Sequence, residues 1–404
     1  MIRKIGSSIA IQSLGTLSGF AVVWLITRYL GVSKQGEFAL LKSWIDLLVV
    51  IGCFGFPQSF IYTINKLNTS AQILKRFSSI YPVAIFTVAS ILSYFWFHYS
   101  SNVISFSTVH YVFIGAAIAG LVGHGLLRGI FLTQNDGKKF ALISILPALG
   151  LFVFIGLGIF VDIPISLPLA YVLTGLIAFI IMLWLVKPSS GGRALQWRPI
   201  LLNGNSIFLQ GLAMTLLPMT TYWLMSYFGM DKKAIGGFNI AVYCYLAFAL
   251  PLNMVSPIFF NRWSKNHDKA VLSKELKRFL WIGLPILPIS LFLAYLLKYI
   301  VPYVFGGELE FAIPSMQILL SAGILVYATN LLSCMNIAMG SFTSNTRAYI
   351  LKVAASIIFI FGSLSLFQND LKMVALSWLL GDLSLLMILF TLVTRSFKTQ
   401  RKSV

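Results

Sequence analysis

The sequence predicts an all-α membrane protein, with twelve transmembrane helices in two pseudo-symmetric six-helix lobes. Three observations predict it. The chain is too apolar to face water. Its long apolar segments alternate with connections whose positive charge rises and falls in step. Landmarks of the first half recur about 200 residues later.

The 404 residues are 58% hydrophobic and 10% charged, with a mean hydropathy of +0.88. A soluble domain is about 45–50% apolar and about 25% charged. That difference excludes a soluble enzyme, a disordered protein and a secreted disulfide scaffold. The net charge of +19 would suggest nucleic acid in a soluble protein. In a membrane protein it asks which face carries the cations, and no nucleic-acid partner is expected. Cys53, Cys244 and Cys334 sit far apart inside apolar runs and read as small buried apolar residues.

A span needs about 20 apolar residues. Such segments lie near 6–27, 38–60, 77–97, 108–131, 140–160 and 165–186. A break rich in Pro, Gly and Ser follows at Lys187–Arg193. Six more lie near 203–228, 236–260, 279–303, 312–338, 349–367 and 372–394. The expected domains are an N-terminal lobe over 1–187, a linker over 188–199, a C-terminal lobe over 200–394 and a basic tail over 395–404. No small-residue cleavage site closes the first segment, so it reads as a retained span and not as a signal peptide.

Placing the N-terminus inside puts every even-numbered connection in the cytoplasm. Those connections and the termini then hold 23 of the 30 Lys and Arg, Arg347 and Lys352 among them. The outside keeps Arg28, Lys34, Lys42, Lys232, Lys233, Lys298 and Lys372. This asymmetry supports both the span count and cytoplasmic termini, because one miscounted span would invert the pattern after it. The connection around Asn261–Leu276, the longest, then faces inward.

The halves repeat. Gly6-Ser-Ser-Ile-Ala-Ile-Gln12 matches Gly204-Asn-Ser-Ile-Phe-Leu-Gln210, and Tyr29 and Gly31 match Tyr227 and Gly229, all at an offset of 198. Gly36-Glu-Phe38 then matches Gly236-Gly-Phe238 at 200, and Lys75-Arg-Phe77 matches Lys277-Arg-Phe279 at 202. A repeat of six spans keeps both copies in one orientation, the arrangement of transporters whose lobes flank a central site. Gln12 and Gln210 are then equivalent and are expected to face that site. Other polar residues within spans are Asn203, Asn205, Asn253, Asn330 and Asn336. Ordinary hydrogen bonding between helices accounts for any one of them equally well.

Nucleotide and metal motifs are missing: there is no GxxxxGK[ST] loop and no HExxH, and His98, His110, His124 and His267 are scattered. No cofactor or metal is expected. Against this background Arg28-Tyr-Leu-Gly31-Val-Ser-Lys-Gln-Gly36-Glu-Phe-Ala-Leu40 resembles a signature of polysaccharide (O-antigen) repeat-unit flippases. These belong to the multidrug/oligosaccharidyl-lipid/polysaccharide (MOP) exporter superfamily and have a MATE-like fold. Tyr227-Phe-Gly229 with Gly236–Ala241, Leu127-Arg-Gly-Ile with Asn135-Asp-Gly137, and Phe305-Gly-Gly307 are similar to further landmarks of that family, in the same order. Pro218–Trp223 departs from it by lacking the acidic residue that many relatives carry in span seven.

The resemblance implies a bacterial inner-membrane flippase, not an enzyme. It would move undecaprenyl-diphosphate-linked oligosaccharides to the outer leaflet by alternating access, for O-antigen, capsule or exopolysaccharide synthesis. Its partners would be that substrate, membrane lipids, a polysaccharide polymerase and a chain-length regulator. A diphosphate needs cations along its path. Arg128, Lys42 and Arg28 are the candidates, with His124 one turn from Arg128, and Gln12 and Gln210 as polar contacts. Asp46, at i+4 from Lys42, and Asp382, deep in the last span, are candidates for charge pairing or coupling. Anchoring at the headgroups explains Arg128 and Arg28 as well. Two alternatives stay open: a drug or metabolite exporter of the same superfamily, and, from another class, a membrane glycosyltransferase or polysaccharide polymerase.

Overall fold

A computed structural model describes residues 2–99, 106–134, 137–161, 163, 165–187, 197–264, 268–367 and 370–398. Among these the chain is all-helical and has no strand. Helix α1 (Ile2–Leu25) runs into a π-helical turn (Ile26–Leu30). It is followed by α2 (Val32–Cys53), α3 (Phe56–Leu67), α4 (Ala71–Tyr99), α5 (Thr108–Leu132), α6 (Gly137–Phe160) and α7 (Leu167–Leu185). The second half holds α8 (Trp197–Tyr227), α9 (Lys232–Ser264), α10 (Lys269–Ile282), α11 (Ile286–Phe305), a 3-10 turn (Gly307–Ala312), α12 (Ile313–Ser321), α13 (Gly323–Ala338), α14 (Phe342–Leu366) and α15 (Leu371–Lys398). Ten described segments are long and apolar enough to cross a membrane. The two remaining predicted spans coincide with α8 and α9. The chain is a multi-pass membrane protein.

Several expectations about the helices are corrected. Span two is two helices: Phe54 (φ 44) and Gly55 (φ 68) adopt left-handed backbone between α2 and α3. Pro57, in the first turn of α3, has no N–H and cannot continue α2. Gly55 is also pressed against its neighbour, since a Cβ there would stand 2.2 Å from the Gly204 carbonyl oxygen. Spans nine and ten are likewise two helices each, joined at Gly283–Pro285 and at Ala322. The Asn261–Leu276 connection is mostly helix, because α9 continues to Ser264 and α10 begins at Lys269. Asp268 caps α10, its Oδ1 accepting from the backbone N–H of Ala270 at 2.8 Å.

The chain divides into two compact units: Met1–Gly31 with Glu37–Thr215, and Val32–Gly36 with Leu216–Val404. Helices α2 and α8 therefore each contribute to both. In the first unit α5 is the hub, packed by α3, α4 and α7, with α6 on α7 and α1 on α6. In the second, α12 and α13 are the hub, packed by α9, α11 and α15, with α14 on α15. The partners thus recur six spans later. The backbone repeats too. Gly31 (φ 91) ends the first span and Gly229 (φ 81) the seventh, 198 residues apart, where a side chain would strain the left-handed turn.

Candidate functional site

In the first unit, α5 carries both His124 and Arg128. His124 is buried, its Nε2 3.2 Å from the Ile143 carbonyl oxygen on α6. A carbonyl only accepts, so Nε2 bears the proton and the ring ties α5 to α6. One turn on, Arg128 is exposed and its guanidinium lies 5.4 Å from the centroid of the Phe140 ring. A cation–π contact at an exposed site contributes about 0.5–1 kcal/mol.

On α2, Lys42 and Asp46 form an i,i+4 ion pair with both side chains half-buried. Arg28 is exposed in the π-helical turn. Its neighbour Tyr29 packs edge-on against Trp24 and Phe160, at 5.8 and 5.3 Å between ring centroids. Gln210 is half-buried on α8. The side chain of Gln12 lies outside those described, as do those of Asn203 and Asn253, while Asn205 is exposed. Asn330 donates to the Val326 carbonyl at 3.0 Å within its own helix, and Asn336 is fully buried. Among the described residues no three His, Cys, Asp or Glu side chains gather to hold a metal.

The strongest electrostatic feature lies in the second unit. Asp382 on α15 is 1% exposed, and its Oδ1 is 2.5 Å from the Nζ of Lys352 on α14. Lys352 was expected among the cytoplasmic anchors, and its burial corrects that. The span was expected to begin at 349, but α14 begins at Phe342, which carries Lys352 about 15 Å into the helix at 1.5 Å per residue. The depth test that singled out Asp382, applied from the true helix start, would have found Lys352 as well.

Neutral hydrogen bonds also tie the helices of this unit. Tyr222 Oη donates to Asn239 Oδ1 (2.8 Å), Trp378 Nε1 to Thr221 Oγ1 (3.1 Å) and Ser333 Oγ to Asn345 Oδ1 (3.0 Å). Each joins different helices, so this interior is fixed by polar groups as well as by packing.

No family model and no curated protein matches the chain. Solved structures do. An inward-facing multidrug resistance MATE family transporter of the MOP superfamily aligns with a TM-score of 0.76 at 14% identity, over 98% of this chain and 99% of that one. The lipid II flippase MurJ, in an inward closed conformation, aligns with 0.75 at 16%, over 96% and 90%. A MOP superfamily transporter from Pyrococcus furiosus aligns with 0.67 at 14%, over 97% and 94%. At these identities the likeness is one of fold, and the chain has the fold of the MOP transporters from end to end.

Proposed function

We propose that this protein is a flippase that carries undecaprenyl-diphosphate-linked oligosaccharide repeat units from the cytoplasmic to the outer leaflet of a bacterial inner membrane by alternating access. The observation that carries the reading is the coextensive fold shared with a lipid II flippase. The repeat-unit flippase signature at Arg28–Leu40 and the excess of cations support it. A diphosphate-sugar headgroup cannot cross hydrocarbon unaided, because each buried unpaired polar group costs several kcal/mol.

In this reading Arg128 receives the diphosphate. Its guanidinium can engage two oxygens at once, and the Phe140 ring holds it in place. Lys42 is a second contact, available as the phosphate displaces Asp46, and Arg28 a third. Gln12 and Gln210 supply neutral hydrogen bonds, and His124 fixes α5 against α6 behind Arg128. Asp382 serves through its pairing with Lys352.

A second reading, drug or metabolite export, has the likeness to multidrug MATE transporters in its favour. Deleting the gene separates the readings. Unpolymerised lipid-linked units accumulating on the cytoplasmic leaflet support flipping. Accumulation on the outer leaflet points to a polymerase and overturns it. Drug sensitivity without a glycan defect establishes the exporter.

A further inference from the structure

Helix α10 is amphipathic in an unusual sense, with a basic face turned directly away from the protein. At 100° per residue, Leu272, Leu276, Phe279 and Leu280 share one side, and Lys274, Lys277, Arg278 and Trp281 the opposite side. Leu272 and Leu276 are buried in a core cluster with Trp263, Tyr327 and Met335, and Phe279 and Leu280 pack on it. Lys274, Lys277 and Arg278 are exposed, and Trp281 is 72% exposed. The acid of this helix, Glu275, is engaged elsewhere, its Oε2 accepting from Trp263 Nε1 at 3.0 Å. The outward face therefore carries three cations and a tryptophan, with no carboxylate among them.

What surrounds that face follows from α11. Beyond Trp281 the exposed side chains become Leu284, Leu287, Leu291 and Phe292, which only hydrocarbon suits. They are succeeded by Tyr295, Tyr299 and exposed Tyr303, with Lys298 over the first two rings at 4.0 and 4.8 Å. Helix α11, 20 residues from Ile286 to Phe305, is about 30 Å long at helical rise, close to the ~30 Å hydrocarbon thickness of a bilayer. Aromatic and cationic side chains together mark the headgroup layer at each end. The basic face of α10 thus lies at the level of lipid phosphates. Its charge is complementary to them and clustered in one helical turn.

We propose that Lys274, Lys277 and Arg278 form a binding surface for the phosphate headgroups of anionic phospholipids, with Trp281 seated at the boundary below them. The surface fastens α10 to the membrane. Through Leu272, Leu276 and the Tyr327 hydroxyl, which donates to the Phe279 carbonyl at 2.6 Å, it holds the core of the second unit in register with the bilayer.

The test uses the purified full chain in detergent, titrated with phosphatidylglycerol or phosphatidylcholine, with bound lipid counted by native mass spectrometry. The wild type is expected to retain phosphatidylglycerol in preference, less so as salt rises. K274Q/K277Q/R278Q should weaken that binding by about tenfold or more, given the attraction of each basic residue to an anionic surface. A variant with equal charge loss at other exposed positions, R76Q/K187Q/R347Q, should bind as wild type. So should K274R/K277R/R278K, which keeps the charge. Unchanged binding in the first variant, or an equal loss in the second, overturns the proposal. All these side chains are exposed, so the melting temperatures are expected to match and to exclude unfolding as the cause.

Discussion

Lys352 and Asp382 face each other inside the second unit, Nζ 2.5 Å from Oδ1, with side chains only 8% and 2% exposed. Two charges at that depth are tolerable only as a pair. Removing one partner strands the other and costs about 3–5 kcal/mol, whereas replacing both by apolar groups of similar volume is often neutral. Lys352→Met or Asp382→Asn alone is therefore expected to lower the melting temperature sharply and to impair export. Lys352→Met combined with Asp382→Leu should recover most of the stability. A double variant as unstable as either single one would show that the pair is not the source of the loss. Export measured in the recovered double variant then reports whether the charges act in transport itself.

Arg128 tests the assignment of a phosphate contact. Arg128→Ala should reduce glycan export far more than Arg128→Lys at equal protein level, since lysine keeps the charge and loses only the two-pronged contact. Substitutions at Lys398 and Arg401, in the basic tail, should leave export unchanged. Full activity of Arg128→Ala would return the residue to anchoring.

The break in span two is testable by glycine replacement. Gly55→Ala places a Cβ against the Gly204 carbonyl in a left-handed backbone (φ 68), with an expected cost of at least about 1–3 kcal/mol from backbone strain. Gly362→Ala is the counterpart, as nothing stands within 4 Å of its Cβ position. One turn from the C-terminal end of α14, it should be neutral or stabilising by up to about 1 kcal/mol. Thermal unfolding of the two purified variants decides between them.

Topology is open to chemical labelling. With Cys53, Cys244 and Cys334 replaced, a cysteine at Ser190 should resist an impermeant thiol reagent in intact cells and react once the membrane is opened. Labelling from outside would invert the orientation drawn from the charge asymmetry.

The sequence by itself located the apolar segments that become helices and the recurrence of landmarks between the two halves. Hydrocarbon offers no partner for backbone N–H and C=O groups, so a long apolar segment can cross only as a helix, and each predicted span falls on one or two helices, while most of α10 forms in a predicted connection. The left-handed glycines Gly31 and Gly229 were legible for a similarly local reason: each must accommodate a turn that a Cβ opposes. Gly283–Pro285 and Phe54–Pro57 also carried local signals of a break, but apolar length masked them, because hydropathy runs straight through a kink.

Tertiary structure alone decided which charges are anchors and which are partners. Lys352 and Arg347 are five residues apart on one helix, yet Arg347 is exposed and Lys352 is buried against a carboxylate thirty residues further on. Likewise Arg128 is exposed over a ring of α6 while His124, one turn away, is spent on the Ile143 carbonyl. No local pattern encodes these outcomes. The fate of a charge within a span depends on which neighbouring helix covers it. That is settled by packing between segments distant in the chain, where the cost of an unpaired buried charge selects the arrangement that pairs it.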